Sequence, residues 1–155
     1  MKRKVNQSIF WALIAVFVVL VIIMMTPAGA FIRTLGGSWF LWLFSIFGAA
    51  FFLLGVALIY FTVKEKVKGI SKKFLLLTGA SAVGLPVFAA LHNLVYALLI
   101  LWFGEDFWGP GGDEPVFFTL AIIVCPLGFL TGAIGTVVLT IKNKRAGYAG
   151  SPEWR

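Results

Sequence analysis

Residues 74–103 read "FLLLTGASAVGLPVFAALHNLVYALLILWF", thirty consecutive positions without an aspartate, glutamate, lysine or arginine. A helix rises 1.5 Å per residue, so about 20 such residues cross the roughly 30 Å hydrocarbon core of a bilayer. The stretch is therefore read as a membrane span. Its only ionisable imidazole, His92, is the sole histidine of the chain and sits beside Asn93.

Three further stretches qualify. With the first they give four spans, at about Ile9 to Met25, Ser38 to Val63, Phe74 to Phe103 and Val116 to Ile141. Each carries enough Leu, Ile, Val and Phe to favour insertion at about 0.3 to 0.6 kcal/mol per residue. The composition agrees: 61% of the 155 residues are hydrophobic and only 12% are charged. No interval between spans is long enough to fold alone, so the chain is read as one four-span membrane domain over 1–155, with 142–155 as a short cytoplasmic tail. Short connections hold sequential helices as antiparallel neighbours, which predicts an all-α, up-down-up-down four-helix bundle.

Charge sets the expected direction. The intervals are "TPAGAFIRTLGG" (26–37), "KEKVKGISKK" (64–73) and "GEDFWGPGGDEP" (104–115), with "KNKRAGYAGSPEWR" (142–155) trailing. A cytoplasmic amino terminus puts Lys2, Arg3, Lys4, Lys64, Lys66, Lys68, Lys72, Lys73, Lys142, Lys144, Arg145 and Arg155 inside and leaves only Arg33 outside. That bias predicts both termini in the cytoplasm of a multi-pass plasma-membrane protein. It also explains the net charge of +7 through anionic headgroups, and no nucleic-acid partner is expected. Four of the six acids, Glu105, Asp106, Asp113 and Glu114, fall in the third interval. Trp39, Trp42, Trp102 and Trp108 crowd the same side as an interfacial belt, with Trp11 and Tyr60 opposite. An alternative for the first span is a signal peptide, with Ala28-Gly29-Ala30 as the cleavage site.

Small residues repeated at three and four mark contact faces in lipid. Span three carries Gly79, Ala82, Pro86, Ala89, Asn93 and Tyr96; span four carries Cys125, Gly128, Gly132, Gly135 and Leu139; span two offers Ser45, Gly48, Phe52 and Gly55. Counting depth from the third interval puts Asn93 level with Cys125, so Asn93 is expected to face span four near Cys125 or Gly128. Pro86 and Pro126 each remove a backbone donor and predict a bend.

His92, Asn93 and Tyr96 form the candidate intramembrane polar site, with His92 about 100° around the helix from Asn93 on the face of Ser81, Leu85 and Phe88. Tyr96 is its expected hydrogen-bond partner. Polar side chains in a span serve either as interhelical glue or as a ligand or permeation site. The third interval is expected to be a solvated turn, with its acids matching no calcium-loop spacing. One cysteine, Cys125, gives no disulfide, redox pair or thiolate metal site, and no catalytic constellation, metal or cofactor is expected. The glutamate in the first span on which small multidrug resistance transporters depend is missing. The leading expectation is therefore an accessory or assembly component that packs with itself or with another membrane protein in the bilayer. A small transporter or channel built on His92 and Asn93 is the alternative.

Overall fold

A computed structural model describes the backbone at residues 2–25, 27–109 and 112–149; side chains are described from residue 5 to 143 and at 145, apart from those at 25–33, 35–38, 40, 41, 110 and 111. Helix α1 spans Lys2–Met25, α2 Pro27–Lys64 and α3 Gly69–Phe103. A 3-10 turn at Glu105–Trp108 leads through the connection to α4 (Pro115–Thr119), a π turn (Leu120–Val124) and α5 (Cys125–Ala149), which together run as one rod. No strand occurs among the described residues. Four helices are long and apolar enough to cross a membrane, over Val5–Met24, Trp42–Lys64, Gly69–Phe103 and Pro115–Asn143.

Helix extends further than hydropathy alone predicts. The interval 26–37 is expected to be a loop, yet α2 is helical from Pro27, where proline's fixed φ suits a first turn. Ala28 to Ala30, the expected cleavage site, lie in that first part of α2, and their side chains and that of Arg33 are outside the described residues. Ser71, Lys72 and Lys73 likewise belong to α3, and the expected tail is helical as far as Ala149, with 150–155 outside the described residues. Hydropathy reports what dissolves in lipid, whereas a helix already nucleated continues past the lipid boundary for one hydrogen bond per residue.

The α2 to α3 turn is short and fully bonded. Lys66 N–H donates to Val63 O and Val67 N–H to Thr62 O, the paired bonds of a Schellman C-cap. Lys66 takes the left-handed conformation at φ 51°, and Val67 folds back onto the core. Asn6 Nδ2 then donates to Glu65 Oε2 at 3.3 Å, tying the start of α1 to this turn.

Helix α3 packs on both α2 and α5, and α1 packs mainly on α2. Glycine sets both α3 contacts. A Cβ on Gly79 would stand 2.7 Å from Ile59 Cγ1 and 3.1 Å from the Gly55 carbonyl oxygen, and one on Gly55 would stand 3.0 Å from Ala82 Cβ. On the other side, a Cβ on Gly132 would lie 2.5 Å from Thr78 Oγ1 and 2.9 Å from Phe74 O, and one on Gly128 would lie 2.5 Å from Ser81 Oγ. At Gly79 and Gly132 a Cβ would force the neighbouring atoms to move, at Gly55 they would have to give slightly, and at Gly128 only the Ser81 hydroxyl would have to turn away. The small-residue stripe of span three thus faces α2, whereas the expectation aims it at span four. The stripe of span four does meet α3, but on the face of Phe74, Thr78, Ser81 and Gly84.

The fourth side is closed by aromatics. Phe17 of α1 lies 4.4 Å from Phe129 of α5 and 6.0 Å from Phe51 of α2 between ring centroids, with Phe51 and Phe129 at 5.4 Å. Each such pair contributes about 0.5–1.5 kcal/mol. Leu13, Leu58 and Ala82 complete this core with no exposed surface.

Pro86 lies inside α3, which remains helical on both sides of it. Pro126 is approached differently: the π turn at Leu120–Val124 ends directly before it, with Cys125 N–H donating to Leu120 O. The wider turn accommodates a residue that has no N–H and a ring that would crowd the preceding turn.

Gly132→Val is expected to destabilise the protein by about 1–3 kcal/mol through forced separation of α3 and α5. Gly48→Ala meets nothing within 4 Å and should be neutral or gain up to about 1 kcal/mol of helix propensity. Thermal unfolding of both variants in one detergent compares them directly.

Candidate functional site

The polar side chains of span three separate into different environments. Asn93 is exposed, and its Nδ2 donates to Ala89 O of its own helix at 2.8 Å. The expected approach to Cys125 or Gly128 does not occur; Cys125 instead lies under Gly84, where a Cβ would stand 2.9 Å from its Sγ. An asparagine that satisfies itself on the preceding turn needs no neighbouring helix.

His92 lies on the opposite choice of face, toward the fourth rod. Its side chain is 16% exposed, and its ring packs 5.5 Å from Phe118. One turn earlier on the same face, Phe88 stacks on Phe117 at 6.2 Å. His92 Nδ1 stands 3.1 Å from the Glu114 carbonyl oxygen and 3.4 Å from Glu114 Oε2, while Nε2 is 3.5 Å from Asp113 Oδ1. A carbonyl oxygen only accepts, so the proton of this bond resides on Nδ1. A carboxylate oxygen also lies beside Nε2, so each ring nitrogen has an acceptor within reach.

Tyr96 is not the partner of His92. Its ring stacks on Trp108 at 6.0 Å with the planes 12° apart, which seats the 3-10 turn against α3. The Nε1 of Trp108 is buried without a hydrogen-bond partner.

Glu114 is the functional residue that the sequence reading misses. It is the N-cap of α4: its Oε1 accepts from Val116 N–H and its Oε2 from Phe117 N–H, both at 2.8 Å, with Pro115 at the start of the helix. The side chain is 5% exposed. Its own N–H donates to Asp113 Oδ1 at 2.8 Å. Burial pushes the Glu114 carboxyl up, but the Val116 and Phe117 amides, then the His92 ring and the Phe118 amide, outweigh it and hold the carboxyl below its ordinary value. A helix N-terminus favours an anion there in any case. The third interval is therefore not uniformly a solvated turn: Glu105 and Asp106 are exposed, Asp113 is half-exposed at its side chain, and Glu114 is inside.

The acid before Pro115 at the head of an apolar run is a helix-start signal available in the sequence. What it lacks is any indication that His92, 22 residues earlier, lies within reach.

The arrangement is a hydrogen-bonded clip between the terminal half of α3 and the first turn of the fourth rod. It presents no nucleophile paired with a base. Among the described residues no three His, Cys, Asp or Glu side chains are placed to hold a metal ion. Gly79 and Ala82 sit in the α2 contact, and Cys125, Gly128, Gly132 and Gly135 in the α3 contact.

The clip predicts non-additive energetics. His92→Ala and Glu114→Ala should each lower the detergent melting temperature, and the double variant should lose less than the sum. Because the folded carboxyl of Glu114 titrates below its unfolded value, its contribution is present above the unfolded value and is lost as pH falls through the lower folded one. Glu114→Gln should abolish that acid-side loss, read as melting temperature against pH.

Comparison with known proteins finds no matching family model, no similar curated protein and no similar solved structure.

Proposed function

We propose that the chain is a small polytopic protein of the plasma membrane, with both ends cytoplasmic, that works without catalytic chemistry of its own as an accessory or assembly component, packing with a second copy or with another membrane protein. The carrying observation is the unfilled small-residue face of α2. Gly55, Gly79, Gly84, Gly128, Gly132 and Gly135 are all filled by contacts within the chain, whereas a Cβ on Gly48 would meet nothing within 4 Å. Ser45, one turn earlier, and Ala49 beside it are exposed. Small residues admit close helix approach, and in lipid that approach is what drives association.

The polar residues favour the same reading. The one imidazole in a span is engaged with Glu114, and Asn93 is turned to the surface with its amide bonded to its own helix. Asn93 turns away from His92 and Tyr96, which both pack on the third interval, and this favours assembly over a transporter or channel that uses the three together. The cytoplasmic assignment of the ends rests on the twelve-to-one distribution of basic residues. In the fold, Lys64, Lys66, Lys68, Lys72 and Lys73 surround one connection, and the acids Glu105, Asp106, Asp113 and Glu114 surround the next.

Gly48→Leu tests the proposal. The variant should fold with unchanged melting temperature, because the space is open, yet lose the partner that copurifies with the wild type from native membranes, or fall from dimer to monomer in nanodiscs. A wild type that is monomeric and copurifies with nothing at endogenous level would sink the reading. So would a Gly48→Leu variant that retains its assembly unchanged.

A further inference from the structure

The side of α2 that faces α3 at the lysine-rich end does not close completely. A groove of about 470 Å³ runs along it, lined by Val56, Ile59, Tyr60, Val63, Lys64 and Val83. That volume is within the range of about 300–1,000 Å³ typical of small-molecule sites. Its walls are almost wholly apolar, and its one cation, Lys64, is the last residue of α2. Val56 to Lys64 is eight residues, about 12 Å along the helix, so the groove begins at the polar end of the span and descends into the hydrocarbon region.

Lys64 is held at the mouth. Its Nζ lies 5.2 Å from the centroid of the Tyr60 ring and 5.9 Å from that of Phe61, so the stem follows the aromatic surface while the ammonium stays at the end of the helix. Among the described residues no carboxylate lies within salt-bridge distance of Lys64, or of Lys66, Lys68, Lys72 and Lys73 on the same connection. The single acid there, Glu65, accepts from Asn6. Lys64 therefore stands at the mouth of the apolar slot without an ion-pair partner among the described residues, on a connection that carries five lysines and one carboxylate.

We propose that this groove is a binding site for an anionic glycerophospholipid, with an acyl chain lying along Val56, Ile59, Val63 and Val83 and the phosphate at the Lys64 ammonium. Each half of the site selects one half of the ligand. The apolar walls give a free phosphate nothing to bind, and a zwitterionic lipid brings a choline cation toward lysines that repel it. A lysine cluster at a helix end attracts anionic headgroups generally; the groove adds a fixed place for the chain, so one lipid is retained there.

Native mass spectrometry of the detergent-solubilised full chain, with phosphatidylglycerol or phosphatidylcholine of matched acyl chains added, reads the retained lipid. The wild type should hold one phosphatidylglycerol in preference to phosphatidylcholine. Lys64→Gln should weaken that retention about five-fold, in line with one lysine at an anionic surface. Val56→Trp, which fills the slot from a residue 43% exposed, should weaken both lipids equally. Circular dichroism of each variant should match the wild type. Equal retention of both lipids by the wild type would overturn the proposal, as would competition by inorganic phosphate without a bound lipid. A Lys66→Gln/Lys68→Gln variant that loses as much as Lys64→Gln would also overturn it, by showing a diffuse charge in place of a site.

Discussion

The constraint on which the molecule depends is the closeness of α3 to two helices at once. In lipid, burying an apolar side chain gains little, because hydrocarbon is as good a solvent as a protein core; what remains is dispersion at short range and interhelical hydrogen bonding. Gly55 and Gly79 bring α2 onto α3, and Gly128 and Gly132 bring α5 onto it from the other side. A Cβ at Gly132 would meet α3 backbone atoms within 3 Å, and one at Gly79 or Gly55 would press on the facing carbonyl at 3.1 Å. The remaining side, between α1 and the other helices, is spaced by rings, with Phe17, Phe51 and Phe129 filling what glycine leaves open elsewhere. The bundle is therefore joined by glycine contacts around α3 and by rings where α1 meets α5.

The two poles are fastened by different chemistry of similar logic. At the lysine pole, Asn6 reaches Glu65 across from α1 to the turn after α2. At the acidic pole, His92 reaches Glu114 at the start of the fourth rod. Both bonds join elements distant in sequence, and both use a carboxylate at a helix terminus. Glu114 does double duty, since Oε2 faces the imidazole and accepts from Phe117 N–H while Oε1 accepts from Val116 N–H. A helix beginning at a membrane surface has four unpaired N–H groups, and a buried carboxylate there settles two of them. Trp108 Nε1, in the same loop, is one of four buried side-chain atoms without a partner among the described residues.

Much of the fold is legible in the sequence, because span number follows from apolar length alone. The small-residue stripes of spans three and four are legible too, but not their pairing. Periodicity places Gly79, Ala82 and Asn93 on one side of a helix; nothing in the spacing says which neighbour that side will meet. Depth counting puts Asn93 level with Cys125, yet Cys125 lies beside Gly84, nine residues or about 13 Å along α3 from Asn93, so the depth as well as the rotation differs. The observed rotation brings Ser81, Phe88 and His92 toward α5 and sends the glycine stripe to α2. The His92 partner was hidden for a related reason. Acids flanked by glycine and proline are usually solvated, and only the position of Glu114 directly before Pro115 distinguishes it from Glu105 and Asp106.

His92 is bound to Glu114 and Asn93 to its own backbone. Two surfaces of α2 carry the proposals above. They are not equivalent, however. Around Ser45 and Gly48 the surface of α2 is small and permits another helix to approach, while around Val56 and Val63 it is grooved and ends at a lysine. A rigid helix complements the first shape and a flexible acyl chain the second, because a chain can follow a slot that a cylinder about 10 Å across cannot enter. On these two proposals the same helix would offer a partner site toward one membrane surface and a lipid site toward the other. A retained anionic lipid beside α3 would leave the upper half of α2 free for assembly.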